Sequence, residues 1–372
     1  MNLRIRENPW RLMLAVNVAV VFGVFLYKLT REPYVPYIHL LVDYHFGFTK
    51  RALIGAAVSL FVEKVPVWLV FALSGAVWLV TSGLFIKLFR RTFGFDKAQL
   101  PLFVFMAGSP FFLKNFMHTL GHFDIYGCAL AICLLLIPAR SVVFVLLAAL
   151  ASMILVLIHH IHLLMYVPTI AAIVVLRYYL VQGFSRRNTI VGIAALAGVG
   201  LLFLAAQFWG TMAVPETEFV QYLQSRMADP SRSLSFSYIW YQPLAREIHD
   251  TWERMPSNIL GIPVFALLIW LHAPLWRYFA ELIRLLSEPF HRRVVIAGIV
   301  AVSMAYLVIF AMVFDYSRWI SNWAVCMYLI LHAVKALPAS QAASPVSADD
   351  KKTSVLGWIV TIIPRVGIVR PF

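Results

Sequence analysis

Long runs of apolar residues, separated by polar segments, dominate the pattern along the chain. A helix needs about 20 mainly apolar residues to cross the roughly 30 Å hydrocarbon core of a membrane. Ten runs approach that length, and we expect the shorter ones to continue as helix into their polar flanks. They cover residues 10–29, 67–88, 100–113, 124–138, 141–158, 163–180, 189–209, 259–276, 294–314 and 320–334. The pattern therefore predicts an all-α integral membrane protein with about ten transmembrane helices.

Two connections between these runs are long. The first, 31–66, contains the apolar stretch 52–62, whose eleven residues reach only about 16 Å as a helix, so we expect it to lie in the membrane interface or to enter the membrane partway. The second, 211–257, is polar, contains seven aromatic residues and ends in a predicted helix at 243–254. This composition is typical of a segment that rests on the membrane surface.

The chain is predicted to form one polytopic membrane domain, residues 1–336. An Ala/Ser/Pro/Asp-rich stretch, 337–353, predicts a flexible cytoplasmic linker. The last segment, 354–372, is apolar but interrupted by Pro364 and Arg365, which favours a segment that lies on the membrane over an eleventh span. The first apolar run is too long for the core of a signal peptide, so we expect it to remain as the first transmembrane helix.

Composition strengthens this interpretation. Apolar residues make up 62% of the chain and charged residues 13%, whereas soluble domains average roughly 45–50% apolar and about 25% charged residues. The three cysteines lie in apolar runs without the spacing of a zinc site or of a disulfide framework. The sequence also lacks a phosphate-binding loop, a dinucleotide-binding fingerprint and the context of a Ser-His-Asp triad.

The distribution of charge orients the predicted helices. Arg4, Arg6 and Arg11 precede or open the first helix, which places the N-terminus in the cytoplasm by the positive-inside rule. With alternating helices, 20 of the 31 Lys and Arg and six of the 17 Asp and Glu fall on the cytoplasmic side, which therefore carries the whole net charge of +14. The positive excess thus reports membrane topology, and nucleic acid is not indicated as a partner.

Ionisable side chains at membrane depth usually mark function or a buried ion pair, and here they cluster at the predicted outer ends of the helices. Asp43 precedes a glycine-containing turn and the pair Lys50 and Arg51. We interpret Asp43 as a candidate general base, His45 as a substrate contact, and the basic pair as a candidate phosphate site at the start of a short helix. Anchoring in the interface, with a salt-bridged Asp43, is the alternative.

Histidines form two further groups at the same level. His118 and His122 are one helical turn apart and Asp124 follows them. This is a metal-ligand spacing, but Gly121 weakens the helix, so substrate hydrogen bonding or a polar helix end is favoured and no metal site is assigned. His159, His160 and His162 end another predicted helix, where one or two of them are expected to line a cavity or to lie in the interface.

Asp315 and Arg318 open the last predicted long helix. Three residues apart, they share a helix face and form an ion pair, or else Arg318 contacts a phosphate or pyrophosphate. Both interpretations remain open from the sequence.

In its layout the chain resembles the GT-C superfamily of membrane glycosyltransferases, which use polyprenyl-phosphate-linked sugars. The resemblance rests on a cytoplasmic N-terminus, many helices, a long first outer loop that contains an acidic residue, Asp43, and the interfacial stretch 52–62. It also rests on the segment from Ser109-Pro110 to Gly121-His122-Phe123-Asp124 that leads into an apolar helix. Many members have two acidic residues close together in that loop, whereas here Asp43 is followed by Tyr44 and His45. Use of a divalent metal ion is therefore left open.

The resemblance implies a reaction. Asp43 would deprotonate an acceptor hydroxyl that attacks the anomeric carbon with inversion, and Lys50, Arg51 or Arg318 would stabilise the departing lipid phosphate. The implied partners are a polyprenyl-phosphate-linked sugar, a glycan or lipid-linked acceptor, and membrane lipids, at the extracytoplasmic face of a plasma (inner) membrane. The alternatives are a polymerase or ligase of envelope polysaccharides, a lipid or sugar transporter without covalent chemistry, and an assembly subunit.

Overall fold

The structure is a computed structural model that describes residues 9–96, 98–313 and 315–337. In this part of the chain all regular structure is helical, with a single isolated bridge between Val65 and Met227. The predicted linker from residue 338 and the predicted segment 354–372 lie outside the described residues.

The helices of the first half, in chain order, are α1 (Pro9–Leu29), α2 (Tyr34–Leu41), α3 (Leu53–Ser59), α4 (Trp68–Phe93), α5 (Leu100–Ala107), α6 (Leu113–His118), α7 (Asp124–Leu136), α8 (Val142–Ile158), α9 (His162–Met165), α10 (Val167–Val174) and α11 (Leu180–Gln182). A π-helical turn, Val175–Tyr179, joins α10 to α11.

The helices of the second half are α12 (Arg186–Trp209), α13 (Glu216–Arg226), α14 (Leu244–Ile259), α15 (Ile262–Leu271), α16 (Ala273–Arg284), α17 (Pro289–Met312) and α18 (Tyr316–Lys335). A 3₁₀ turn, Ser237–Trp240, lies between α13 and α14.

Among the described residues, five segments are long and apolar enough to cross a membrane, and they support the membrane character predicted from the sequence. They are α1, α4, the segment His162–Gln182, α12 and α17. The bent pair α15 and α16 passes the same test together, and α7 and α8 are shorter apolar helices. The count of ten spans and the orientation remain predictions.

Several predicted spans differ in detail from the helices observed. The run 100–113 is not one helix, because α5 ends at Ala107 and a new helix begins at Leu113. The run 259–276 is divided between α14, α15 and α16, and α15 and α16 meet at an angle of 58°. The last span is longer than predicted, since α18 begins at Tyr316.

The main core surrounds α18, in which 14 of 20 residues are buried, while α1 has no buried residue. Helix α18 packs against α4, α7, α10, α16 and α17. The outer helices keep many large apolar side chains exposed, as expected where lipid replaces water as the surroundings. The architecture is therefore a buried central helix within a sleeve of apolar helices.

A second, smaller core joins the two long connections. Helices α2 and α3 of the first connection pack with α13 and the 3₁₀ turn of the second, around the buried Trp240. The indole Nε1 of Trp240 donates to the carbonyl of Lys50 (3.0 Å), and the Lys50 N–H donates to the carbonyl of Gly210 (2.8 Å). The second connection, predicted as a surface-lying segment, is thus largely folded against the first.

Candidate functional site

A cavity of about 320 Å³ lies where the two long connections meet the ends of the helices. Its lining comes from α2, from the turn before α3, from the connections before α7 and after α8, from α14, and from the junction of α17 with α18. All of these segments fall on the side predicted to be extracytoplasmic. The cavity therefore collects, at one end of the molecule, polar groups that are distant along the chain.

Arg318 is the centre of one ion-pair network in this cavity. Its Nε lies 3.0 Å from Oδ2 of Asp124, and its Nη1 lies 3.5 Å from Oδ2 of Asp315. Asp124 is only 2% exposed, so the pair is desolvated and its geometry is fixed. Nη1 of Arg318 also lies 3.2 Å from Nδ1 of His122. Because a guanidinium only donates, Nδ1 of His122 accepts and its proton is on Nε2.

Asn322 and Tyr166 support this network from inside the protein. The Asn322 amide donates to Oδ2 of Asp124 (3.2 Å), and the Tyr166 hydroxyl donates to Oδ1 of Asn322 (2.7 Å). Gly127 makes room for the Tyr166 ring, since a Cβ there would lie 2.2 Å from it. Asp124 and Arg318 are thus held from behind by a buried hydrogen-bond chain.

A second network surrounds Arg51 and Lys50. Arg51 is a non-glycine residue at φ +63°, a sparsely populated conformation that is found at functional sites. Its Nη2 lies 3.4 Å from Oε1 of Glu247, and Nζ of Lys50 lies 4.0 Å from the same oxygen and donates to the Gln242 carbonyl (2.8 Å). Burial, with the neighbouring Arg51 charge, lowers the pKa of Lys50 to about 8.

Histidines line another part of the cavity wall. His39 is buried with its ring stacked on Phe123 (centroids 4.3 Å apart), and His159 and His160 lie nearby with centroids 5.1 Å apart. Burial, followed by the Arg51 charge, lowers the pKa of all three far below the ordinary histidine value. Burial and Arg318 lower the pKa of His122 to about 3. These rings are therefore neutral near pH 7.

Seven of the residues singled out from the sequence line this one cavity: Arg51, His122, Asp124, His159, His160, Asp315 and Arg318. Lys50 adjoins it through Glu247. His162 is fully buried in α9, and His118 is exposed at the end of α6, where partial desolvation and the charge of Lys28 lower its pKa. Neither is among the lining residues.

Asp43 and His45 also lie outside the cavity lining. Asp43 accepts hydrogen bonds from Nη1 of Arg226 (2.9 Å), from the Tyr222 hydroxyl (2.7 and 2.9 Å) and from the His45 N–H (3.0 Å). The His45 ring stacks on Tyr222 at 4.3 Å. Arg226 also donates to the Leu41 carbonyl, so Asp43 joins α13 to the end of α2.

Sequence analysis assigned no role to several polar residues in or beside the cavity, among them His39, Glu247, Asp250 and Asn322. His39 lies within the apolar stretch of α2 and has no neighbouring polar residue to mark it. Glu247 and Asp250 lie on α14, and Asn322 is inside α18 behind the cavity. The one recognisable signal is the strongly amphipathic pattern of α14, whose polar face includes both acidic residues.

The described residues contain no group of three or more His, Cys, Asp or Glu side chains arranged to hold a metal ion. A second cavity, about 270 Å³, lies between α8, α10 and α12, and its lining is apolar apart from the hydroxyl groups of Ser152, Thr189 and Tyr179. Its described lining residues include no Asp, Glu, His, Lys or Arg. The first cavity is therefore the candidate site.

In comparisons with known proteins, no family model, no curated protein and no solved structure matches this chain.

Proposed function

We propose that the protein is a membrane glycosyltransferase that moves a sugar from a polyprenyl-phosphate-linked donor to a glycan or lipid-linked acceptor at the extracytoplasmic face. The observation that carries the proposal is the combination, in one cavity at the end of an apolar helix sleeve, of two buried arginines with several carboxylates. Such a reaction requires cations at the leaving phosphate and a base at the acceptor hydroxyl.

Arg51 and Arg318 are the proposed phosphate contacts. In the reaction the acceptor oxygen bonds to the anomeric carbon while the bond from that carbon to the phosphate oxygen breaks, and the phosphate leaves with the electron pair. Each guanidinium has donors beyond those used in its ion pair, and Nε of Arg51 is buried without a hydrogen-bond partner in the described part of the chain. Lys50 adds a third cation beside Arg51.

Asp315 is the proposed base that takes the acceptor proton. It is the more exposed of the two carboxylates that pair with Arg318, with 37% of its side chain accessible. Its Oδ1 accepts from the Ser317 hydroxyl and the Arg318 N–H, whereas its Oδ2 has, among the described residues, the 3.5 Å contact with Arg318. Asp124 is buried and doubly bonded, so it acts as a positioning residue for Arg318. Asp43, predicted as the base from the sequence, is occupied by hydrogen bonds from three donors, the His45 N–H, the Tyr222 hydroxyl and Arg226, and remains the competing candidate.

The test is sugar transfer by purified protein in lipid, from defined polyprenyl-phosphate and polyprenyl-pyrophosphate donors. We compare wild type with Asp315→Asn and Asp43→Asn, and use Asp229→Asn, in an exposed turn outside the cavity, as the matched control. The expected result is transfer from the monophosphate donor that falls by about 10²–10⁴-fold in Asp315→Asn and is unchanged in the control.

Three other results would change the assignment. Loss of transfer in Asp43→Asn alone, with the melting temperature of the protein unchanged, would return the base to Asp43. Transfer from the pyrophosphate donor only would indicate a polysaccharide polymerase or ligase. No transfer from either donor, with movement of lipid or sugar across the same vesicles, would replace the enzyme with a transporter.

A further inference from the structure

We propose that His39, His159 and His160 form a subsite for the uncharged, hydroxyl-bearing ring of a sugar, so that the substrate is a neutral sugar and not a uronic acid or an amino sugar with a free ammonium group. This inference rests on the proposed function, because it assigns the sugar to the cavity that also contains Arg51 and Arg318.

The first observation is that histidines lining the cavity have buried ring nitrogens without partners in the described part of the chain. His39 is 3% exposed and lines the cavity, and neither of its ring nitrogens has a hydrogen-bond partner among the described residues. His160 is 5% exposed, and its Nδ1 is in the same situation. Buried polar atoms are nearly always hydrogen-bonded in native proteins. Their partners are therefore to be sought in what the cavity binds.

The hydrogen-bonding capacity of imidazole then selects the ligand. A neutral ring has one donor nitrogen and one acceptor nitrogen, so His39 needs both an acceptor and a donor. Neighbouring sugar hydroxyls supply both, because each hydroxyl donates and accepts. A carboxylate or a phosphate only accepts and an ammonium group only donates, so either would leave one nitrogen of His39 unpaired.

His159 also has a ring nitrogen that can donate a hydrogen bond to a sugar hydroxyl. The Ile161 N–H donates to its Nδ1 (3.3 Å), which places the ring proton on Nε2 and makes this atom a donor. Phe123 stacks on His39 and lies edge-on to His159 at 6.4 Å. Phe123 also lines the cavity, where its ring offers an apolar surface beside the three histidines.

The charges around the subsite favour a neutral ligand. The charge of Arg51 acts on all three histidines, and together with burial it holds their pKa values low, so the rings stay neutral. The same charge repels an ammonium group. Glu247, Asp124 and Asp315 line the same cavity, and once the donor phosphate occupies Arg51 and Arg318 these carboxylates disfavour a further carboxylate on the sugar.

The experiment measures binding, independently of transfer. Purified protein is titrated with uncharged methyl pyranosides and furanosides, and with methyl glucuronide and methyl glucosaminide, by saturation-transfer NMR. The test variant is His39→Phe, which keeps a ring against Phe123 but removes both nitrogens. The matched control is His332→Phe, because His332 is 1% exposed and also has two unpartnered nitrogens, but it lies among Phe85, Phe89 and Phe93, outside the cavity.

The expected result is that uncharged glycosides bind wild type in preference to both charged ones, and that His39→Phe weakens binding by about tenfold to a hundredfold, as for the loss of one or two hydrogen bonds. The control retains wild-type affinity. We expect His39→Phe to melt at the same or a higher temperature than wild type, because it removes unpaired buried polar atoms. Loss of binding in a stable variant therefore reports the subsite.

Unchanged affinity in His39→Phe, preference for a charged glycoside, or no binding of any uncharged glycoside would overturn the subsite. The outcome for the enzyme proposal is separate. Binding of neutral glycosides through His39 without transfer from either lipid donor would leave the subsite in place and overturn the glycosyltransferase. Sugar transfer that is unaffected by His39→Phe would leave the glycosyltransferase in place and overturn the subsite.

Discussion

Lys50 is a buried cation whose protonation is linked to stability. Its pKa of about 8 lies below the ordinary lysine value of 10.5, mainly because the side chain is desolvated. Below pH 8 the lysine is charged in both the folded and the unfolded state, and folding includes the cost of burying the charge. Between about pH 8 and 10.5 the folded protein releases the proton while the unfolded chain keeps it, so stability rises with pH in this window.

We therefore expect the melting temperature of wild type to rise relative to that of Lys50→Met as the pH increases from 7 to 10. The corresponding gain in the free energy of unfolding is about 3 kcal/mol at most. The measurement is thermal unfolding of both proteins in one detergent across this range. Lys64→Met, at an exposed lysine, is the control and should follow wild type. Parallel curves for wild type and Lys50→Met would contradict the prediction.

At the scale of single residues, the sequence indicated many of the charged residues of the cavity. It did not indicate the role of His39 or the contacts that position Asp43. Arg318, Asp124 and His122 were recognisable because charged residues at the end of an apolar run are costly and therefore conspicuous. His39 was not, because one histidine inside an apolar helix resembles a core residue. The position of Asp43 depends on Arg226 and Tyr222, far along the chain, and sequence spacing carries no information on that contact.

The apolar pattern correctly marked the region of α15 and α16, but it predicted one span where the structure contains two helices. Apolarity continues through the junction, and only Pro274, in the first turn of α16, indicates a break, because proline has no N–H and clashes with the preceding turn. The size of the bend, 58°, depends on a tertiary contact. His272 at the junction reaches Ser109 beyond the end of α5, with Nε2 2.9 Å from Oγ.

The contact between His272 and Ser109 leads to a prediction on the stability of the junction between α15 and α16. Nδ1 of His272 lies 2.7 Å from the Leu268 carbonyl, so it donates there, and Nε2 accepts from Ser109. The Tyr328 hydroxyl donates to Ser109 (3.1 Å). Ser109 Oγ also accepts from the Phe111 N–H (3.2 Å), so Ser109→Ala leaves three buried groups unpaired, and we expect a loss of about 1–3 kcal/mol of stability.

Thermal unfolding of Ser109→Ala, Tyr328→Phe and the double variant measures this contact. The double variant should lose less than the sum of the two single losses, because each single change removes the same hydrogen bond. Ser141→Ala, at an exposed serine that makes no capping hydrogen bond, should melt like wild type. Strictly additive losses would show that Ser109 and Tyr328 act independently.

At the scale of the whole molecule, the net positive charge and the cavity are predicted to lie on opposite sides of the membrane. The side predicted to be cytoplasmic carries the net +14, and the other side balances its basic and acidic residues. The cavity is built from connections on that second side. Equal numbers of basic and acidic residues suit a site in which each cation faces a carboxylate. The excess of basic residues on the side predicted to be cytoplasmic is expected to serve membrane insertion rather than ligand binding.

The orientation itself is testable with a pair of cysteine substitutions at glutamines. Gln221, on α13, and Gln182, at the end of α11, are both exposed and are predicted to lie on opposite sides of the membrane. We expect a membrane-impermeant thiol reagent to label Gln221→Cys in intact cells and Gln182→Cys only after permeabilisation. Wild type is the background control, because Cys128 and Cys326 are buried and Cys133 is half-buried. The reverse pattern would place the cavity on the cytoplasmic side. A polyprenyl-linked donor on the outer face cannot reach a cavity there, so both the orientation and the proposed reaction would have to be abandoned.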